Sequence, residues 1–315
     1  MRKKLSVILF VFLLFAFQTV HAGGVKSQVS SFKELKKIVE NLADPTATLV
    51  VMDDDDTLTM MSCQDAEKSD KCQYLGGPAW FAWQSSLVGA NSAYSVAKTQ
   101  EELFGISSLL LAMNDMEYTE GELPDVLRAL ANVGVRLLVE TARGNNDLSA
   151  TERQFAQLPV KNSSYTSFLD MISGSSLVFA PDNITSLAGP FSPCRIPGAR
   201  KVSYQQGVMY VSGQNKGTML KCLLTRYQGS NGGGLVIKYV VFIDDTQQNV
   251  DDVYSAFKES AQFNVTALHY DALDKHKHAL TEGARKNTYQ DKAKHRWHAI
   301  QTTMHKELLD PAAVR

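Results

Sequence analysis

The sequence predicts an α/β fold with a mostly parallel sheet, and three observations carry that expectation. Short apolar, β-branched runs at Thr48–Met52, Arg136–Val139, Tyr239–Ile243 and Val265–Tyr270 read as strands buried on both faces. Helical patterns lie between them, giving the β-α alternation of a parallel sheet. Two of the runs end abruptly in acids, Asp53-Asp54-Asp55-Asp56 and Asp244-Asp245. Ligands of open α/β sheets bind beyond the carboxyl ends of strands, so both acidic groups lie where chemistry is expected.

In chain order, Ser31 caps an expected helix over Phe32–Leu42, with Glu34 at the capping-box position. Phe32, Leu35, Ile38, Val39 and Leu42 give that helix one apolar face. The strand Thr48–Met52 follows and delivers the aspartates. Residues 60–121 begin polar, then hold Gly76-Gly77-Pro78 and the aromatic cluster Trp80, Phe81 and Trp83. A long apolar helix is expected at about 101–113, another at Glu122–Val133, and a strand from Arg136. Leu148–Leu158 reads as helix and Ser176–Ala180 as strand. Val202–Val211 alternates around Gln206-Gly207, the pattern of a hairpin. Lys216–Tyr227 and Val250–Ser260 read as helices on either side of the strand from Tyr239. The tail from about 290 reads as a basic helix, and Gly229–Gly234 as a flexible loop without a P-loop pattern.

Composition narrows the class further. Across 315 residues the hydrophobic fraction is 44% and the charged fraction 21%, values of an ordinary globular chain. The formal net charge of −1 gives no basic bias toward nucleic acid. The first 22 residues have Arg2, Lys3 and Lys4, an apolar run from Leu5 to Phe17, and small residues at Val20 and Ala22. This is the layout of a secretory signal peptide, and no later stretch is apolar enough to stay in a membrane. The expected mature protein is periplasmic or secreted, with 29 basic and 33 acidic residues. Its basic charge concentrates from Lys275 to Arg315, where nine Lys/Arg face four Asp/Glu, and that tail could dock a protein partner or be a solvated helix face.

Four cysteines in an exported chain point to disulfides. Cys63–Cys72 closes a short polar loop and is the preferred pair, leaving Cys194–Cys222. The C-x8-C spacing is not that of a zinc site.

Clustered carboxylates repel one another unless a cation or proton relieves them, and a hard oxygen-seeking ion such as Mg²⁺ does so. Asp53 and Asp55 share a side of an extended backbone, and in a loop curling after the strand both can face one phosphorus centre. The alternative of an EF-hand fails, because positions six and twelve from Asp53 hold Leu58 and Gln64. Asp53-x-Asp55-x-Thr57-Leu58 resembles the first motif of haloacid dehalogenase-like (HAD) phosphohydrolases. Leu137-Leu138-Val139-Glu140-Thr141 is similar to the second, Lys216 near a helix start to the third, with Lys221 as fallback, and Val240–Asp245 to the fourth. The sequence is also similar to an uncharacterised exported branch of that superfamily, in which the Gly-Gly-Pro-Ala-Trp stretch recurs.

The resemblance implies a Rossmann-like core, residues 23–59 and 134–290, and a mainly helical cap inserted at 60–133. A basic tail at 291–315 follows. It implies Asp53 as nucleophile and Asp55 as general acid and base. Thr141 and Lys216 would bind phosphate. Asp53, Asp55, Asp244 and Asp245 would hold Mg²⁺, with Asp245 favoured over Asp244 as direct ligand. Asp54 departs from the pattern, which commonly has an apolar residue there. The implied activity is phosphomonoester hydrolysis on a phosphorylated small molecule. The rival is a catalytically idle scaffold of the same fold, used by a secreted protein for binding. Trp80, Phe81 and Trp83 either fill the interior of the cap or stack on the leaving group, and Arg143 either touches phosphate or caps its loop.

Overall fold

The computed structural model describes residues 23–63, 72–179, 194–230 and 236–309. The expected signal peptide and most of the Gly229–Gly234 loop lie outside them. The sheet has seven strands, β1 (Gly24–Val29), β2 (Thr48–Met52), β5 (Arg136–Thr141), β6 (Ser203–Gln205), β7 (Val208–Tyr210), β8 (Tyr239–Asp244) and β9 (Asn264–Tyr270). Their spatial order is β1-β9-β8-β2-β5-β7-β6, and every neighbouring pair is parallel except the β6–β7 hairpin. A separate antiparallel ribbon pairs β3 (Thr59–Met61) with β4 (Met116–Tyr118).

The apolar runs are continuous because both faces of the sheet are covered. Val50, Met52, Leu137, Val139, Val241 and Ile243 belong to one buried cluster, and Leu49, Val51, Leu138, Val240 and Phe242 to the other. The first includes residues of α1 (Phe32–Glu40), α4 (Leu123–Asn132), α6 (Phe168–Ser175) and α10 (Lys286–Met304). The second is built with α7 (Lys216–Ser230) and α8 (Gln247–Phe257). Truncating a residue such as Leu138 to Ala would cost about 2–5 kcal/mol through lost burial and the cavity left behind. Gly217 lets α7 and α8 approach, since a Cβ there would lie 2.3 Å from the Asp252 carbonyl oxygen. The hairpin turn forms at Gln206 and Gly207, both at positive φ, which matches the twist of the two strands.

Three local features differ from the sequence reading. β1 was not expected. Four of its six residues are exposed, and it is held at the sheet edge by its parallel ladder with β9. The strand expected at Ser176–Ala180 does not form over 176–179. The hairpin occupies the place beside β5, and Leu177 and Phe179 pack into the second cluster instead. The α1 cap forms at Ser31 as expected, its Oγ accepting from the Glu34 N–H, but Glu34 reaches back to the Ser30 N–H and not to that of Ser31.

Between β2 and β5 the chain forms the ribbon, α2 (Pro78–Leu87), α3 (Gln100–Met113) and α4. Of these, α4 packs on α1 and β5, flanking the sheet. Cys63 and Cys72 are joined just beyond β3, and Cys194 is joined to Cys222 of α7, the pairing expected from sequence. Trp80 and Trp83 are buried in the first cluster, and Phe81 stacks on Phe104 with ring centroids 5.7 Å apart. The helices α5 (Leu148–Gln157) and α9 (Asp274–Lys277) follow β5 and β9 in the chain. Among the described residues no helix is long and apolar enough to cross a membrane.

Candidate active site

The site follows from strand order. β2 lies between β5 and β8, so their carboxyl ends bring Asp53, Thr141 and Asp244 to one edge. The Asp53 N–H extends the ladder to the Ile243 carbonyl at 3.0 Å. The chain then turns sharply. The Asp54 carbonyl accepts from the N–H groups of Thr57, Leu58 and Thr59, and Asp56 takes a φ of 60°. Thr57 ties the two acidic strand ends together, accepting at Oγ1 from the Asp245 N–H at 3.0 Å.

Lys216, at the start of α7, is 1% exposed. Its ammonium bonds Asp53 Oδ1 directly and Asp244 Oδ2 at 2.7 Å. Burial disfavours that charge, but Asp244 and Asp53 outweigh it and hold the lysine protonated well above its ordinary range. The same burial pushes the Asp53 carboxyl upward, with Lys216 pulling against it. Asp53, Asp244 and Asp245 each place a carboxylate oxygen within 4.8 Å of the others. This all-oxygen donor set on buried carboxylates fits a hard divalent cation such as Mg²⁺. Within it Asp244 is the more committed acid. Its Oδ1 accepts from the Thr246 N–H (2.8 Å) and Asn249 (3.0 Å), and its Oδ2 from Lys216 and Asn249 (3.1 Å).

Arg143, two residues beyond β5, makes a second cluster. Its Nε and Nη2 donate to the two carboxylate oxygens of Asp55 at 2.8 and 2.7 Å. Nη1 lies 3.0 Å from Asp54 Oδ2 and donates to Thr151 and Gln154 of α5. Desolvation opposes the guanidinium charge, and Asp54 and Asp55 more than restore it. Asp54 also accepts from the Thr59 hydroxyl at 2.7 Å. The unexpected acid thus belongs to the arginine cluster and bonds neither Lys216 nor Lys277.

Beyond these lie groups that sequence reasoning did not single out. Lys277 of α9 donates to Asp245 Oδ2 (2.6 Å), the Asp245 carbonyl (3.0 Å) and Thr246 Oγ1 (2.9 Å). His269 Nε2 also meets the Asp245 carbonyl, at 3.0 Å. Asp56 is fully buried, makes no side-chain hydrogen bond, and lies 4.0 Å from His276 Nε2. Burial drives that carboxyl up and pulls the His276 imidazole down to about 4, so the imidazole is neutral at pH 7. Glu140, buried in β5 without a hydrogen-bond partner, is likewise driven upward by desolvation, against the nearby charge of Lys216. Lys277 falls in the basic stretch from Lys275 to Arg315, and nothing in that stretch pointed to Asp245.

The sequence-predicted residues are therefore distributed as follows. Asp53, Lys216, Asp244 and Asp245 come together. Thr141 ends the adjacent strand, its Oγ1 accepting from the Arg143 N–H at 3.2 Å. Asp55 stands beside them, with its carboxylate on Arg143. Lys221 is elsewhere, donating to the Ala256 carbonyl of α8. Trp80 and Trp83 lie in the interior.

Fold and site together define an α/β protein whose parallel sheet gathers buried carboxylates and basic side chains at its carboxyl edge. The chain belongs to the family described as protein of unknown function (DUF2608), which it matches over residues 28–310. A comparison with curated proteins finds no match. Among solved structures it is similar to the crystal structure of cytosolic 5'-nucleotidase IIIB bound to cytidine, at 12% identity and a TM-score of 0.31. That alignment covers 86% of this chain and 91% of the other. A likeness at that level carries no statement about this chain's chemistry.

Proposed function

We propose that this protein is an exported, Mg²⁺-dependent phosphatase of the HAD type, hydrolysing phosphomonoesters through an aspartyl-phosphate. The observation that supports it most is the buried Lys216 between Asp53 and Asp244, with Asp245 beside them. In this reading Asp53 attacks phosphorus in line and the ester oxygen departs. Lys216 sets its charge against the phosphoryl oxygens, and Thr141 donates its hydroxyl to one of them. Asp55 gives a proton to the leaving oxygen, then takes one from the water that opens the acyl phosphate. To do so it must free one oxygen from Arg143. Mg²⁺, held by Asp53, Asp245 and the Asp55 carbonyl with Asp244 in support, would neutralise nucleophile and phosphoryl charge together. The α2–α3 segment is the proposed cap. The two disulfides favour the exported reading.

A panel of phosphomonoesters, assayed with MgCl₂ and with chelator, tests this. Turnover should require the cation, and Asp53→Asn should abolish it while thermal stability holds or rises, since carboxylate repulsion is relieved. Substantial turnover after thorough chelation, or a near wild-type rate in Asp53→Asn, would count against the reading. The scaffold alternative draws on one feature: Asp53, Asp55, Asp244 and Asp245 each already have a cationic side chain as partner. A folded protein inactive across the whole panel would favour it.

A further inference from the structure

We propose that Lys277 is a tethered competitor for the divalent cation, and that metal affinity in this protein is set by how readily Lys277 releases Asp245. The inference rests on the reading of Asp53, Asp244 and Asp245 as the metal site. A lysine ammonium has three donors. All three of those on Lys277 are directed at the end of β8, to Asp245 Oδ2, the Asp245 carbonyl and Thr246 Oγ1. Its side chain nevertheless keeps 26% exposure, against 1% for Lys216. One lysine is enclosed by protein; the other has water on one side and a route out.

The root of Lys277 is fixed. The preceding residue, His276, is buried and stacks on Tyr74 with ring centroids 4.8 Å apart. The Lys277 N–H bonds the Leu273 carbonyl at 2.9 Å. Only the side chain is left to move, and moving it is what exposes Asp245. Charge balance points the same way. With the carboxylates of Asp53, Asp244 and Asp245 deprotonated, as a metal ligand requires, three negative charges against two ammonium groups leave one net negative charge, a weak host for a divalent ion. With Lys277 swung into water the pocket carries two, matching the ion. Asp245 is also the less committed acid: among the described residues its Oδ1 accepts only from the Thr246 hydroxyl, at 3.3 Å, and its Oδ2 only from Lys277, whereas Asp244 accepts four bonds from Lys216, Asn249 and the Thr246 N–H.

Titration of the purified protein with MgCl₂ by calorimetry, without substrate, tests this, alongside the rise in unfolding temperature that the ion produces. Lys277→Gln and Lys277→Met should each bind Mg²⁺ about tenfold more tightly than wild type, the scale of removing one unit charge from beside a divalent ion at a partly hydrated site. Lys277→Arg, which keeps the charge, and Lys221→Gln, remote from the carboxylates, should bind as wild type does. Unchanged or weaker affinity in folded Lys277→Gln and Lys277→Met overturns the inference and leaves the metal site standing. Absence of Mg²⁺ binding in wild type and in all the variants overturns both.

Discussion

Two buried cations meet the aspartate run from opposite sides, and they do different things. Lys216 is a compact charge between Asp53 and Asp244, on two different strands. Arg143 is a planar fork that engages Asp54 and Asp55, neighbours in sequence, and is braced behind by Thr151 and Gln154. A point charge can turn toward an arriving phosphate without changing shape. A guanidinium bonded on every edge fixes its partners in place. The run of aspartates is thus divided: one acid faces an adaptable cation and the next two face a rigid one.

Exchanging the two cations breaks the comparison in unequal ways. Lys216→Arg has the largest expected effect. The position has no spare volume, and overpacking there should destabilise by about 1–3 kcal/mol and remove phosphatase turnover, read by thermal melts and the ester assay. A stable, active Lys216→Arg protein would contradict the packing argument. Arg143→Lys should fold and keep Asp54 paired, but lose the two-point hold on Asp55. We expect kcat to fall about 10–100-fold, less than the loss of about 10²–10⁴-fold expected for Asp55→Asn, the reach of general acid–base catalysis. Equal losses in the two variants would show that Arg143 does more than hold Asp55.

An effect on stability alone, with none expected on turnover at neutral pH, concerns Asp56, the aspartate of the run with neither cation. Its neighbour His276 is held down to about 4 by burial, against an ordinary value of 6.5. As pH falls below about 6.5 the unfolded chain takes up a proton that the folded chain refuses until about 4. Stability from this group should therefore drop by about 3 kcal/mol between neutral pH and pH 4. Urea melts across that range should show wild type losing stability relative to His276→Phe as acid is added; the contribution of Asp56 is common to both and subtracts out. Parallel curves for the two proteins would refute the neutral assignment of His276.

What could be read in the sequence was whatever both faces of a strand, or a strand end, make visible. The runs leading to Asp53 and Asp244 are continuous because both sheet faces are covered, so their acids could be placed at the carboxyl edge without a structure. Lys216 had no such local mark and was reached through the order of the resembling motifs. The fork of Arg143 joins residues 88 positions apart, and Lys277 reaches Asp245 across 32; neither contact has a periodicity to betray it. β1 escaped notice because an exposed edge strand is held by backbone bonds, which leave no apolar pattern. The stretch 176–179, read as a strand, has the apolar residues of one, but Leu177 and Phe179 bury them in the second cluster and the β6–β7 hairpin takes the place beside β5.

The final helix has a consequence for how the molecule is made. Tyr289, Ala293 and Trp297 of α10 are buried. Tyr289 packs on Tyr74, and the helix accepts at Asp291 from Tyr94, between α2 and α3, and donates from Arg296 to Gln73, just before α2, contacts spanning 197 and 223 residues. A chain is synthesised from its N-terminus at about 5–20 residues per second. The α2–α3 segment therefore emerges well before the helix that forms its back wall. Until α10 arrives, Tyr74 and its neighbours lack that cover, and a chaperone that binds apolar surface has an interval in which to act. Local folding of the segment can begin early, but its closure waits for the last stretch of the chain.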